Sequence, residues 1–244
     1  SPAMKETLPQ PPPDAPMPPP SEAALRSQRW RNWIVSGGLL SVLFVMALGV
    51  WPMVIGSRKP RDQSEAVSNA RQIGRALMDF ENQYGAFPND STRHLVKARN
   101  PGSTIPLGST SSNDYFRQLL AAGIEPTEAV FHANAPGTHR PDNVILGARA
   151  LEKGECGFAY VLSPWPYQCN TPIAIYPMVR GHLLFDCKVC EDHLGGKAVG
   201  LLGDGSVMCP YVDKSGHVFI NGKDLFDPSQ PFWGGKAPVV KWPE

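Results

Sequence analysis

The chain has 244 residues, 42% of them hydrophobic and 18% charged, with a formal net charge of +1. That length suits one domain with additions, or two small domains. A balance so close to neutral lacks the basic footprint that nucleic-acid binding requires.

Ser1–Pro20 holds nine of the 26 prolines and almost no large apolar residue. Such a stretch buries too little surface to offset its ordering entropy, so a disordered or polyproline-II tail is expected over 1–29. No charge then occurs between Arg31 and Arg58, and the run Trp33–Ile55 is 23 residues long. A membrane span needs about 20 apolar residues at 1.5 Å each. Trp30, Trp33 and Trp51 stand near its ends, where aromatic belts form. The run is longer than the apolar core of a cleaved signal peptide, so residues 30–57 are read as an uncleaved single-pass anchor. Arginines and lysines flank it on both sides (Arg26, Arg29 and Arg31; Arg58, Lys59 and Arg61) and do not decide its orientation. All five cysteines follow the run, which favours a C-terminal part facing an oxidising compartment.

A second pattern follows the span. Ala66, Ala70, Ile73, Leu77, Phe80 and Tyr84 recur in steps of four and three, drawing one stripe down a helix. Asp62 with Glu65 suggests a capping box, Gly85 a left-handed stop, and Pro88 a bar to continuation. Gly56 and Pro60 are expected to kink or break the path between span and helix. The amphipathic helix is assigned to 58–90, and a narrow stripe of this kind packs on something flat.

Residues 91–155 read as a loop-rich insert with short helices. Within it Asn113–Ile124 is a helix candidate, with Asn113 as cap, Tyr115, Phe116, Leu119 and Leu120 as apolar face and Gly123 as stop. From Cys156 the character changes. "GFAYVL", "PIAIYPM", "HLLFD", "KAVGLL", "SVMCPYV" and "HVFI" are short, β-prone and divided by turn signals. Asp204-Gly205 marks a hairpin. Phe158, Tyr160 and Leu162 alternate, as do Ile173, Ile175 and Pro177, so each strand is expected to bury one face. Strands clustered after helices indicate an α+β fold: a transmembrane helix, then a long amphipathic helix packed on an antiparallel sheet over 156–244, with a C-terminal extension.

Arg71, Gln72, Ile73, Gly74, Ala76, Leu77, Tyr84, Gly85, Phe87 and Pro88, following a membrane run, resemble the start of bacterial type IV pilin-like proteins and type II secretion pseudopilins. The late stretch His193–Val212, "HLGGKAVGLLGDGSVMCPYV", is similar to a hairpin of the same group. The resemblance covers roughly 63–88 and 156–220. It implies a long helix laid across an antiparallel sheet, and a structural role in pili or secretion pseudopili. Its partners would be the membrane and other pilin-like subunits or secretion components. It places the protein in a bacterial inner membrane with the C-terminal domain periplasmic or extracellular. Members of that group carry a short basic leader and a Glu early in the membrane helix. Here "RNWIVSGGLLSVL" has no such Glu and follows a long proline-rich tail, so an unprocessed anchor is expected.

Cys187 and Cys190 form a CxxC, with His193 three residues on and Cys209 downstream. Three readings stay open: a zinc site on Cys187, Cys190, His193 and Cys209; a thiol redox pair, which would want a helix N-terminus where the surroundings read as strand and loop; and a disulfide or free thiols. Cys156 and Cys169 are a second disulfide candidate. Asp186, Asp204 and Asp213 suggest calcium through the resemblance, without an Asp-x-Asp-x-Asp-Gly loop to hold it. No Gly-x-Ser-x-Gly elbow, phosphate loop or His-Glu-x-x-His occurs. The reading is a non-catalytic, membrane-anchored structural or interaction protein without an obligate cofactor. The alternative is an extracytoplasmic module that binds a ligand or metal.

Overall fold

A computed structural model describes residues 41, 58–162 and 168–244. The proline-rich tail, and the expected anchor apart from Ser41, lie outside the described residues. Among the described residues no helix is long and apolar enough to cross a membrane. The chain divides into two units, Ser1–Val54 and Ile55–Glu244.

The second unit is α+β. Among its described residues four α-helices, α1 (Arg58–Tyr84), α2 (Asp90–Arg99), α3 (Ser112–Ala121) and α4 (Cys187–His193), accompany seven strands. The strands are β1 (Ala159–Leu162), β2 (Pro172–Tyr176), β3 (Val199–Leu202), β4 (Val207–Met208), β5 (Phe219–Ile220), β6 (Lys223–Asp224) and β7 (Val239–Lys241). Five of them form one antiparallel sheet in the order β4-β3-β2-β1-β7, and β5 pairs with β6 in a separate hairpin.

The α1 stripe folds as its spacing demands. Ala66, Ala70, Ile73, Leu77, Phe80 and Tyr84 are all buried in one cluster. Each large member contributes about 1.5–3 kcal/mol on leaving water. Gly85, at φ 84°, ends the helix in the left-handed conformation that glycine adopts without a Cβ penalty. Two details of the start differ from expectation. Helix α1 already includes Pro60, which does not break it, and Asp62 lies inside the helix instead of capping it. The Asp62 carboxylate accepts from Asn134 Nδ2 and meets His193 Nδ1 at 2.7 Å.

Helix α1 packs against β3 and β4, and α3 packs against β1. Gly74 makes the first contact close: a Cβ there would meet Leu201 Cδ1 at 2.8 Å. The helix layer is therefore shared, because part of the insert belongs to it. All ten residues of α3 are buried, and its cap is Ser111, reciprocated by Asp114, two residues before the expected Asn113. Tyr160 of β1 stacks on Tyr115 and meets Phe116 edge-on, and its hydroxyl donates to the Pro88 carbonyl.

The sheet is buried on both faces, which corrects the one-sided expectation. Phe158 and Tyr160 face the helix cluster, while Ala159 and Val161 enter a second cluster. That second core gathers Ile175, Phe185, Val218, Leu225, Phe226, Phe232, Trp233 and Val240, so the C-terminal extension is the second cover of the sheet. The expected alternation of Ile173 and Ile175 on one face also fails. Pro172 pairs with Leu202 and Ala174 with Leu201, leaving Ile173 as the extra residue of a bulge. One extra residue reverses the side-chain phase. Ile173 and Ala174 both join the helix-side core, and Ile175 the other. "HLLFD" forms no strand; only an isolated bridge joins Met178 and Phe185.

Gly157 sits where β1 passes the insert. Its N–H donates to the Phe131 carbonyl at 2.9 Å, and a Cβ would lie 2.9 Å from the Ala133 backbone N and O. Backbone atoms yield less readily than side-chain ends, so Gly157→Ala is expected to destabilise by about 1–3 kcal/mol through overpacking. An unchanged urea midpoint for that variant would refute the contact.

Candidate functional site

The cysteines were the first candidates from sequence, and the structure distributes them. All five are free thiols. The CxxC lies on the first turn of α4, not on strand or loop, and Asp186 caps that helix by accepting from Val189 N. Cys187 Sγ lies 3.4 Å from the Asp213 carbonyl. Cys190 is buried, and burial, followed by its neighbours Cys187, Asp186 and Glu191, pushes its thiol up to about 12. A thiol so placed holds little thiolate at neutral pH and is a poor nucleophile.

The four expected zinc ligands are not brought together. Cys190 belongs to the cluster on one face of the sheet, and Cys209 packs against the cluster on the other. His193 Nδ1 is engaged by Asp62 of α1. Cys156 and Cys169 do not meet as a pair. Cys156 is fully buried beside Ser112 Oγ and the Phe158 carbonyl, and burial raises its thiol to about 12, while Cys169 is exposed in the turn before β2. Iodoacetamide at about pH 8 is therefore expected to modify Cys169 well before Cys156 or Cys190. Mass mapping of the folded chain checks this, and equal labelling of all three would contradict it.

The acidic residues proposed for calcium serve turns instead. Asp186 caps α4, Asp204 accepts from Ser206 N within the β3–β4 hairpin, and Asp213 accepts from the N–H groups of Ser215 and His217.

A different acidic group converges in the insert. Among the described residues, Glu128, Asp142 and Glu155 offer carboxylate oxygens that lie within 4.8 Å of one another. Glu128 stands in the 3₁₀ turn Glu128–Phe131, capped by Thr127. Its N–H donates to Asn143 Oδ1, and its Oε1 accepts from Leu151 N. Glu155 Oε1 accepts from Asp142 N and Oε2 from Glu152 N. Arg149 pairs with Asp142 on the exposed side. Glu128 is fully buried, and its Oε2 has no hydrogen-bond partner.

Burial holds the Glu128 carboxyl above the usual range; the Leu151 N–H opposes that, and the charges of Glu155 and Asp142 add to it. The folded state thus keeps this proton more readily than the unfolded one. Its contribution to stability is favourable below the unfolded Glu value of about 4.3 and falls as pH rises through the higher folded value.

The insert also leans on α1. Asn69 Nδ2 donates to the carbonyls of Ala129 and His132 at 3.2 and 2.9 Å. Beside this contact opens a cleft of about 730 Å³ lined by Lys59, Arg61, Asp62, His132, Arg140 and His193, among others. His132 is buried with Nδ1 unpartnered, and burial lowers its pKa, favouring the neutral ring.

Spacing along the chain could not reveal the carboxylate group, since its members lie 14 and 13 residues apart in irregular segments. The available hint was local: Glu128 and Glu155 each adjoin small or apolar residues, in "EAVF" and "GECGF". Comparison with protein-family models, with curated proteins and with solved structures finds no match to this chain.

Proposed function

We propose that the protein is a membrane-anchored, pilin-like structural or interaction protein, a subunit or accessory of a pilus or secretion-type assembly. The observation that carries this reading is α1. A 27-residue helix follows the apolar run directly in sequence and buries one stripe against an antiparallel sheet. That arrangement suits a rod connecting a span to an outer domain. The resemblance of Arg71–Pro88 to pilin-like helices supports the same reading, as does the Gly203–Ser206 hairpin between β3 and β4. The working parts are then the anchor, the rod and the surface of the domain, and no catalytic step is assigned.

Assembly is tested on the full chain expressed in a bacterial membrane. Brief crosslinking and detergent extraction should recover species larger than the monomer that contain this chain or other pilin-like subunits. A chain that remains monomeric and uncrosslinked across expression levels would contradict an assembly role.

A further inference from the structure

We propose that Glu128, Asp142 and Glu155 form a binding site for one calcium ion. This inference is independent of the anchored, pilin-like reading and would stand if that reading failed.

Three segments supply the ligands: the 3₁₀ turn, the loop at Asp142 and the turn before β1. An acidic cluster alone would carry no such claim. The deciding observation is Glu128 Oε2, an oxygen with no exposed surface and no partner on a fully buried residue. A buried acceptor left unsatisfied destabilises the fold, and more so when it is charged. The Glu128 carboxylate shares its group with two further carboxylates, which accept and do not donate. Only a proton or a cation reconciles them.

Charge favours the cation. Three carboxylates carry −3, and the Arg149 guanidinium on Asp142 returns +1. The remaining −2 is what a divalent ion supplies. The donors are all oxygen, which suits calcium or magnesium better than zinc, whose usual ligands are nitrogen and sulfur. Calcium bonds at about 2.3–2.6 Å hold opposing oxygens up to about 5 Å apart, so a set confined within 4.8 Å can surround the ion. Magnesium keeps most of its water and takes one or two carboxylates, whereas calcium accepts several from irregular loops. Asp142 is exposed, which leaves a path for entry and room for water ligands. The bound ion would tie the 3₁₀ turn, and through Asn69 the helix α1, to the turn that leads into β1.

The test uses the purified full chain, stripped with a chelator and titrated calorimetrically with calcium chloride or magnesium chloride. One calcium per chain is expected, with a Kd no weaker than about 10⁻³ M, and a higher unfolding temperature in calcium than in chelator. Glu128→Gln keeps the acceptor for Leu151 N and turns an amide donor toward the other carboxylates, so it should fold. It should weaken calcium binding by about tenfold or more, as should Asp142→Asn on the exposed side. Circular dichroism confirms that each variant is folded. The proposal is overturned if the wild type binds no calcium in this range, or if both variants bind it as tightly as the wild type. Tighter binding of magnesium than of calcium would also overturn it. So would a calcium-insensitive wild type that Glu128→Gln stabilises, which would assign the site to a shared proton.

Discussion

Ile73→Asp is expected to leave the second unit, Ile55–Glu244, unfolded at neutral pH. Ile73 has no exposed surface and sits in the middle of the α1 stripe. The next residue, Gly74, brings the helix so close to β3 that even a methyl group would collide with Leu201. An aspartate at position 73 finds neither water nor a cation among the buried residues of that cluster. An uncompensated charge in such a place costs about 3–5 kcal/mol, in addition to the lost apolar burial of about 1.5–3 kcal/mol. Total stability of a domain is about 5–15 kcal/mol, so most or all of it is consumed. Ile73→Val is the control and should cost only about 0.5–1.5 kcal/mol. Urea unfolding followed by circular dichroism reads both, and an Asp variant with the wild-type midpoint would refute the packing of α1 on the sheet.

Trp233→Ala should produce the second largest loss, on the opposite face. Trp233 is 2% exposed, lies edge-on to Phe232 at 4.9 Å, and donates from Nε1 to the Leu225 carbonyl at 2.7 Å. Truncation opens a cavity and orphans that carbonyl, at about 3–5 kcal/mol. For a domain of this size that corresponds to a fall of roughly 6–20 °C in Tm. The effect should spread along the segment that covers the outer face. Gln230, buried beside Trp233, donates to the carbonyls of Ile220, Lys223 and Asp224, and so ties the β5–β6 hairpin to the same core. Hydrogen exchange should accelerate first over residues 218–241 while α1 stays protected. Uniform exchange at the wild-type rate would contradict a separate outer core.

The helix stripe was legible because its period is set by 3.6 residues per turn and its stop by Gly85 and Pro88. The antiparallel strands were legible as short apolar runs between turns. The second core was harder. "FAYVL" is apolar at consecutive positions, the pattern of a strand covered on both faces, yet nothing local says what provides the second cover. That information lies in Phe226, Phe232 and Trp233, some 70 residues away. The bulge at Ile173 left no mark in composition and reversed a correct alternation. Sequence reasoning also missed two readable signals. Asn89 and Thr92 form the capping box of α2, and Asn221-Gly222, at φ 52° and 78°, makes the β5–β6 turn.

The chemistry was less legible than the fold. A CxxC spacing fits zinc, redox pairing or simple packing. Which one applies depends on burial and on which face of the sheet each sulfur meets, and spacing does not encode either. Glu128 shows the converse. Its significance comes from an unpartnered buried oxygen, a property that exists only once Asp142 and Glu155 have been folded against it.

The central claim, an anchored rod bearing an outer domain, is tested most directly by protease protection of the full chain in bacterial spheroplasts. The account predicts that protease added outside degrades the region beyond Arg58, while a shorter membrane-embedded N-terminal fragment survives and is released only by detergent. Recovery of the intact chain in the soluble fraction, or its full protection until the membrane is ruptured, would contradict it.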